Sequence, residues 1–292
     1  MTGNTGNTGN TGNTGNTGNA GNAGIAGEFG GGWIINDRVD LPFVTILDPI
    51  GSPNQLGELA DVALTNFPDR SWTARWYAWR ILHQLAGVDW QTPAQAALDL
   101  RRAAINFSSE IDALVLAARD ERPDALAAIV AQDVEFITYF MAVLTITPGT
   151  HPMTYRLLHI ASLIGSFGAL HFKDHYSVAR PSQRCPALLP PVPMPGHPSF
   201  PSGHATQAQL MRRCIAQMFS MTPLPPADRS VIESNVIALA NSVARNREIG
   251  GLHYASDSLA GDDLAGTLFA SLNTAPVSHY TDAVNDAVGE WS

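Results

Sequence analysis

Three short segments of the chain gather the residue types that bind and transform small anions. The residues singled out are Lys173, Arg180, Ser202, Gly203, His204, Arg247, His253 and Asp257. Two arginines and a lysine suit a tetrahedral oxyanion, because a planar guanidinium group binds such an anion through paired hydrogen bonds. A contact to a phosphate alone would not need two histidines and a carboxylate beside it. The set therefore predicts catalysis on a bound anion.

Ser202 and Gly203 stand where a proline-rich loop enters a predicted helix. The first N–H groups of a helix have no partner within the helix, and together with the helix dipole they favour an anion. His204 follows this turn directly and is a candidate general acid or base.

Arg247 lies on the apolar face of a predicted helix, whereas Arg245 does not. Val236, Ala240 and Val243 form an apolar stripe at spacings of four and three. Arg247 continues this stripe by four residues and is therefore predicted to point inward. An inward-facing arginine needs a counter-charge, which a bound anion or a structural salt bridge to an acidic residue would supply.

His253 and Asp257 are four residues apart, so they share a face if a helix has already begun there. The carboxylate would then hold the imidazole in one tautomer, as in a catalytic triad. The other ring nitrogen would be free to attack phosphorus or to coordinate a metal oxyanion. A helix-capping or surface pair is the alternative interpretation.

Together, the three segments resemble the signature of the superfamily of type 2 phosphatidic acid phosphatases and vanadium-dependent haloperoxidases. The matching elements are Lys-x6-Arg-Pro from Lys173, Pro-Ser-Gly-His from Pro201 and Arg-x5-His-x3-Asp from Arg247. One position departs from the family pattern, because Asn246 stands where the family usually has serine before the last arginine.

The resemblance implies a role for each residue of the set. The oxyanion would be held by Lys173, Arg180, Ser202, Gly203 and Arg247. His253 would be the nucleophile of a phosphatase or the ligand of a bound vanadate, and Asp257 would orient it. His204 would protonate the leaving group or assist peroxide chemistry.

Within the superfamily, the sequence favours a haloperoxidase that uses vanadate and hydrogen peroxide to oxidise a halide. Residues 197–207 look like the corresponding segment of algal bromoperoxidases, including His197, a possible halide-site residue seven positions before His204. The first alternative is an acid phosphatase that cleaves a phosphomonoester through a phosphohistidine and needs no cofactor. This alternative is kept because residues 253–257 look more like those of phosphatases. The second is a scaffold protein with a vestigial pocket.

Periodicity predicts an all-α bundle around these segments, since no stretch alternates with period two for long. The predicted helices span residues 69–85, 98–107, 110–119, 124–144, 154–173, 202–219, 227–248, 255–272 and 277–288. Residues 35–47 are predicted to wrap the core as an extended arm. The proline-rich residues 181–201 are predicted to form an ordered loop along one wall of the site.

The chain is predicted to have two parts. Residues 1–32 are a low-complexity tail in which glycine recurs at every third position from Gly3 to Gly27. This tail is interpreted as flexible, with an ordered trimerising element as the alternative. Residues 33–292 are predicted to form one catalytic domain.

Composition limits the remaining classes of function. The net charge of −9 argues against a nucleic-acid binder, and 45% hydrophobic residues argue against wholesale disorder. No secretory signal and no membrane span is recognised, so a soluble protein with a small-molecule substrate is expected, and it could form a homo-oligomer. Cys185 and Cys214 are expected to be free thiols.

Overall fold

The computed structural model describes residues 68–292, and in this range the chain is all-α and has no strand. The helices are α1 (Ala74–Leu85), α2 (Gln91–Ala103), α3 (Phe107–Asp120), α4 (Arg122–Val134), α5 (Ile137–Leu144), α6 (Pro152–Tyr176), α7 (Pro181–Arg184), α8 (Gly203–Ser220), α9 (Pro226–Ile249), α10 (Ala255–Leu272) and α11 (Ser278–Gly289). The predicted fold class is confirmed. The predicted tail and the predicted arm at residues 35–47 lie outside the described residues.

The helices α6 and α8 form the centre of the bundle. The helix α8 packs against α6, α9 and α10, and α6 also packs against α1 and α11. Because α6 is buried around most of its surface, it is a core helix rather than an amphipathic surface helix. Lys173 lies near the end of α6 and Ser202 immediately before α8, so the two central helices carry two of the three motif segments.

A glycine allows α8 and α10 to approach each other next to the site. A Cβ atom placed on Gly261 would lie 2.9 Å from both the Ala205 Cβ and the Ser202 carbonyl oxygen. Both atoms are held by the backbone of α8, so a side chain could be accommodated only by separating the helices. Gly261 thus keeps the start of α8 against the first turns of α10.

Replacing Gly261 by alanine is expected to lower the free energy of unfolding by about 1 to 3 kcal/mol through overpacking. It should also weaken the binding of inorganic phosphate, because it displaces Ser202 and its neighbours. Thermal denaturation and phosphate titration measure both effects. Gly289→Ala is the control, since a Cβ there meets nothing within 4 Å. An unchanged Gly261→Ala variant would contradict this account of the helix contact.

The predicted single helix over residues 124–144 is wrong, because α4 and α5 are separate helices bent by 107°. Glu135 is extended between them and accepts a hydrogen bond from the Thr138 amide at 2.9 Å, which caps the start of α5. This hydrogen bond from the backbone to a side chain competes with the backbone bonds of a continuous helix. The bend places the last turn of α4 beside the site.

Two further boundaries differ from the sequence prediction. The helix predicted at residues 98–107 is α2, which ends at Ala103, and Asn106 accepts from the Ser109 amide at 3.3 Å to begin α3. The helix predicted to begin at Asp69 begins at Ala74, after the 3-10 turn Asp69–Ser71. The Asp69 carboxylate pairs with Arg80 at 2.7 Å instead of capping the helix.

No helix within residues 68–292 has by itself both the length and the hydropathy needed to cross a bilayer. The helices α4 and α5 meet that requirement of length and composition only when they are taken as one bent pair.

The two cysteines are free, as predicted from the sequence. Cys214 is buried beside the hydroxyl of Tyr280 at 3.3 Å, and burial raises the pKa of its thiol to about 12. A thiol that stays protonated and enclosed is unreactive, so Cys214 is a packing residue of the core.

Candidate active site

A buried histidine–aspartate pair lies at the start of α10. His253 precedes the helix, which begins only at Ala255, and Asp257 is in its first turn, so the two do not share a helix face as predicted. Asp257 instead caps the start of α10, which was the alternative interpretation, and also reaches back to His253. The Nδ1 atom of His253 is 3.0 Å from the Oδ2 atom of Asp257, and the Tyr254 amide donates to the same oxygen at 3.0 Å. On the other side of the ring, Nη1 of Arg180 donates to Nε2 of His253 at 3.4 Å. This pattern of partners assigns the proton to Nδ1.

The surroundings keep His253 neutral. Burial, followed by the positive charges of Lys173, Arg180 and Arg247, lowers the pKa of His253 well below its usual value. Burial also raises the pKa of Asp257 to about 6, although a hydrogen bond and nearby cations oppose this. Above about pH 6 the pair therefore consists of a carboxylate and a neutral imidazole whose Nε2 lone pair faces the cations.

Arg247 points inward as predicted, and only 1% of its surface is exposed. Its Nη2 atom donates to Oδ1 of Asp133 at 2.6 Å, which is the structural salt bridge that the sequence left open as an alternative to a bound anion. Its Nε and Nη1 atoms are buried and have no partner. Because a buried donor without a partner is costly, these two N–H groups favour an oxyanion at this position. Arg245 faces outward, as predicted, and it pairs with Glu121.

Replacing Asp133 by alanine is expected to lower the free energy of unfolding by about 3 to 5 kcal/mol, because it leaves the buried Arg247 without its counter-charge. Inorganic phosphate should restore more stability to this variant than to the unchanged protein, since the anion replaces the lost carboxylate. Melting temperatures with and without phosphate measure the effect. Asp262→Ala, which removes a partly exposed pair with Arg213, is the control and should cost about 1 kcal/mol or less. Equal losses in the two variants, with no extra phosphate effect, would contradict the prediction.

Arg180 and Lys173 hold the last part of the proline-rich segment, residues 197–199, against the site. The first part of the predicted loop is instead the helix α7 and the 3-10 turn Pro186–Leu188. Arg180 donates to the carbonyl oxygens of His197 at 3.0 Å and Leu252 at 2.9 Å. Lys173 donates to the carbonyl oxygens of Pro198 at 2.9 Å and Ser199 at 2.6 Å. Burial lowers the pKa of Arg180 only to about 10, so it stays charged at neutral pH. Much of the hydrogen-bonding capacity of both side chains is used by the loop, so Arg180 contributes mainly its charge to an anion. Burial lowers the pKa of Lys173 well below its usual value, and a bound anion would favour the charged form of this side chain.

Ser202 caps α8, as the sequence predicted, but its amide does not face an anion. The Ser202 amide donates to the Asp257 carbonyl at 3.0 Å, and its hydroxyl accepts from the Ala205 amide at 3.4 Å. The predicted oxyanion role of Ser202 is thus limited to its hydroxyl hydrogen. Gly203 opens the helix, and the amides of Gly203 and His204 belong to the first turn, where no intrahelical acceptor exists.

His204 is buried next to the last turn of α4. Its Nε2 atom lies 3.2 Å from the Gln132 carbonyl oxygen, and its ring packs on Phe136 with the ring centroids 5.2 Å apart. Burial, and then the charge of Arg247, lowers its pKa well below the usual value. In this neutral ring, Nε2–H donates to Gln132. A leaving-group oxygen would have to compete with that carbonyl for the same hydrogen.

His197 lies beside the site and against Arg180. Its Nδ1 atom is 3.0 Å from Nη2 of Arg180, and burial together with the charges of Lys173 and Arg180 lowers its pKa to about 4. His197 is therefore a neutral acceptor that helps to fix Arg180. Its possible role at a halide site stays a prediction.

Sequence reasoning did not identify three residues that contact the site. These are Ser199, Gln132 and Asp133. Asp133 had one visible signal, since it is an acidic residue in the apolar stretch 126–147. Ser199 precedes the Pro-Ser-Gly-His element by two residues, and nothing in its surroundings distinguishes it from other loop serines.

The fold and the site define an all-α protein in which a buried histidine–aspartate pair faces three buried cations. No protein-family model matches the chain, and no curated protein matches it either. Twelve chains of solved structures match, among them a transmembrane PAP2 type phosphatidylglycerolphosphate phosphatase from Bacillus subtilis. That phosphatase is 18% identical, with 68% of this chain and 92% of the other covered and a TM-score of 0.32. At that level of likeness, any assignment rests on the site residues themselves.

Proposed function

We propose that this chain is a phosphatase of the type 2 phosphatidic acid phosphatase superfamily, which hydrolyses a phosphomonoester through a phosphohistidine at His253. The observation that carries the proposal is the environment of one atom, Nε2 of His253. It has a lone pair, because Asp257 holds the proton on Nδ1, and the charges of Lys173, Arg180 and Arg247 all act on its ring.

The first half of the reaction transfers the phosphoryl group to the enzyme. Nε2 of His253 attacks phosphorus and the bond to the ester oxygen breaks, so the alkoxide leaves with the bonding electrons. The Asp257 carboxylate stabilises the positive charge that develops on the phosphorylated ring. His204 supplies the proton to the leaving oxygen, because a phosphate bound in the cationic site raises the pKa of this imidazole and favours its charged form.

The second half regenerates the enzyme. Water attacks the phosphorus of the phosphohistidine, and neutral His204 accepts the proton that the water loses. The bond between phosphorus and Nε2 breaks, which returns neutral His253 and releases inorganic phosphate. The unpartnered Nε and Nη1 atoms of Arg247 stabilise the charge on the transferring group in both halves.

The haloperoxidase that the sequence favoured becomes the second candidate. The segment 197–207 pointed to it, and within that segment His197 has a different explanation in its contact with Arg180. The site nevertheless suits vanadate, since the unpartnered N–H groups of Arg247 can donate to any tetrahedral oxyanion of this size. Nε2 of His253 would be its ligand, surrounded by Lys173, Arg180, Ser202, Gly203 and Arg247. When bound, vanadate would supply activation of hydrogen peroxide for the oxidation of a halide.

A paired assay on one preparation tests the proposal. The protein is given p-nitrophenyl phosphate, and a second sample is incubated with vanadate and assayed for peroxide-dependent bromination. Phosphate release that vanadate inhibits competitively is expected. Bromination without any phosphate release would establish the second candidate instead. Activity in neither assay would remove both enzymatic proposals and leave the scaffold alternative.

A further inference from the structure

Ser199 connects the loop wall to the histidine–aspartate pair. Its hydroxyl donates a hydrogen bond to Oδ2 of Asp257, and its Oγ atom is 3.3 Å from Nδ1 of His253. Its backbone is fixed at both ends, because its amide donates to the Val178 carbonyl at 2.8 Å and its carbonyl accepts from Lys173. A serine that is completely buried and held in this way can direct its hydroxyl to only a few atoms.

The partners of Asp257 are distributed unequally between its two oxygens. Oδ2 accepts from the Ser199 hydroxyl, from Nδ1–H of His253 and from the Tyr254 amide. Oδ1 is buried and has no partner. The charge of a completely buried carboxylate is thus stabilised on one oxygen, and Ser199 supplies one of the three donors there. That same oxygen fixes the tautomer of His253.

We propose that Ser199 is a positioning residue, whose hydroxyl fixes the Asp257 carboxylate so that the proton of His253 stays on Nδ1 and the lone pair stays on Nε2. This inference rests on the proposed function of His253 as nucleophile. Ser199 does not touch the phosphoryl group. It acts through Asp257, so its loss should impair the chemical step while leaving the binding of the anion intact.

The test compares Ser199→Ala with Ser258→Ala. Ser258 is a matched control, because it is buried one position after Asp257 and its hydroxyl has no partner. For Ser199→Ala we expect kcat on p-nitrophenyl phosphate to fall about tenfold with KM nearly unchanged, the pattern of an interaction that matters in the transition state. The dissociation constant for inorganic phosphate should also stay nearly unchanged. Ser258→Ala should keep both kinetic constants.

A spectroscopic measurement separates this inference from the proposed function. In protein labelled with ¹⁵N-histidine, the resonances of His253, assigned by comparison with His253→Ala, report which ring nitrogen carries the proton. We expect a single Nδ1–H tautomer in the unchanged protein and a mixture in Ser199→Ala, with Ser199→Thr returning the spectrum toward the single tautomer. An unchanged spectrum in Ser199→Ala, or a parallel loss of phosphate binding, would overturn the positioning role. A tautomer change in a protein that hydrolyses nothing would keep the positioning role and reject the phosphatase.

Discussion

The variant His253→Ala should lose phosphomonoester hydrolysis almost completely, with kcat lowered by about 10⁵-fold or more. Removing the nucleophile of other hydrolases has effects of this size, because binding and charge stabilisation alone retain only a small residual activity. Among the described residues, only His253 has a ring nitrogen with a lone pair that faces the three buried cations while a carboxylate holds the proton on its other ring nitrogen. Steady-state rates with p-nitrophenyl phosphate measure the loss.

The control for this variant is His159→Ala. His159 is a buried histidine of α6 whose pKa is lowered by burial to about 4, and it is not among the site residues. Its replacement removes a similar volume from the core and should leave kcat nearly unchanged. If His253→Ala kept substantial activity while His204→Ala abolished it, the assignment of the nucleophile would be wrong.

The second large effect is expected at Asp257. Asp257→Asn keeps the size of the side chain but removes its negative charge, and an amide can present a donor where His253 needs an acceptor. The wrong tautomer then places the proton on Nε2, and kcat should fall by about 10³- to 10⁴-fold, as for the equivalent change in a serine protease triad. Phosphate binding should fall much less, because the cations are unchanged.

The dependence of activity on pH provides the test of this explanation. The pKa of Asp257 is raised to about 6, so lowering the pH through this value protonates the carboxylate and should reduce kcat/KM of the unchanged protein. Above it the carboxylate is charged and no longer limits the activity. Asp257→Asn should lose this acidic limb. Asp263→Asn, which alters a partly exposed pair with Arg101, should retain it. An identical acidic limb in Asp257→Asn would show that another group controls the profile.

Local spacing was sufficient to predict much of the site. His253 and Asp257 are close in sequence, and the capping turn at the start of α10 brings them together, although a shared helix face was expected. The same holds for Ser202 and Gly203, whose position at the start of α8 follows from the loop before it. The inward direction of Arg247 followed from the apolar stripe of α9, because burial of that stripe determines which face meets the core.

The contacts between distant segments could not be predicted in this way. Asp133 reaches Arg247 only because α4 ends at a bend, where Glu135 is extended and its carboxylate accepts from the Thr138 amide. Continuous apolar character from residue 126 onward concealed this break. Similarly, the cations of the first motif were expected to bind the anion directly. Lys173 instead donates to carbonyl oxygens of the loop, which no periodicity could indicate.

The central claim, that His253 carries the phosphoryl group, can be tested by trapping the intermediate. The protein is mixed with ³²P-labelled p-nitrophenyl phosphate, stopped in alkali, digested and mapped, because a phosphohistidine survives alkali and is lost in acid. We expect an acid-labile label on the peptide that contains His253, present in the unchanged protein and absent from His253→Ala. A label on a serine or on His204, or rapid hydrolysis in which no labelled protein ever forms, would contradict the account.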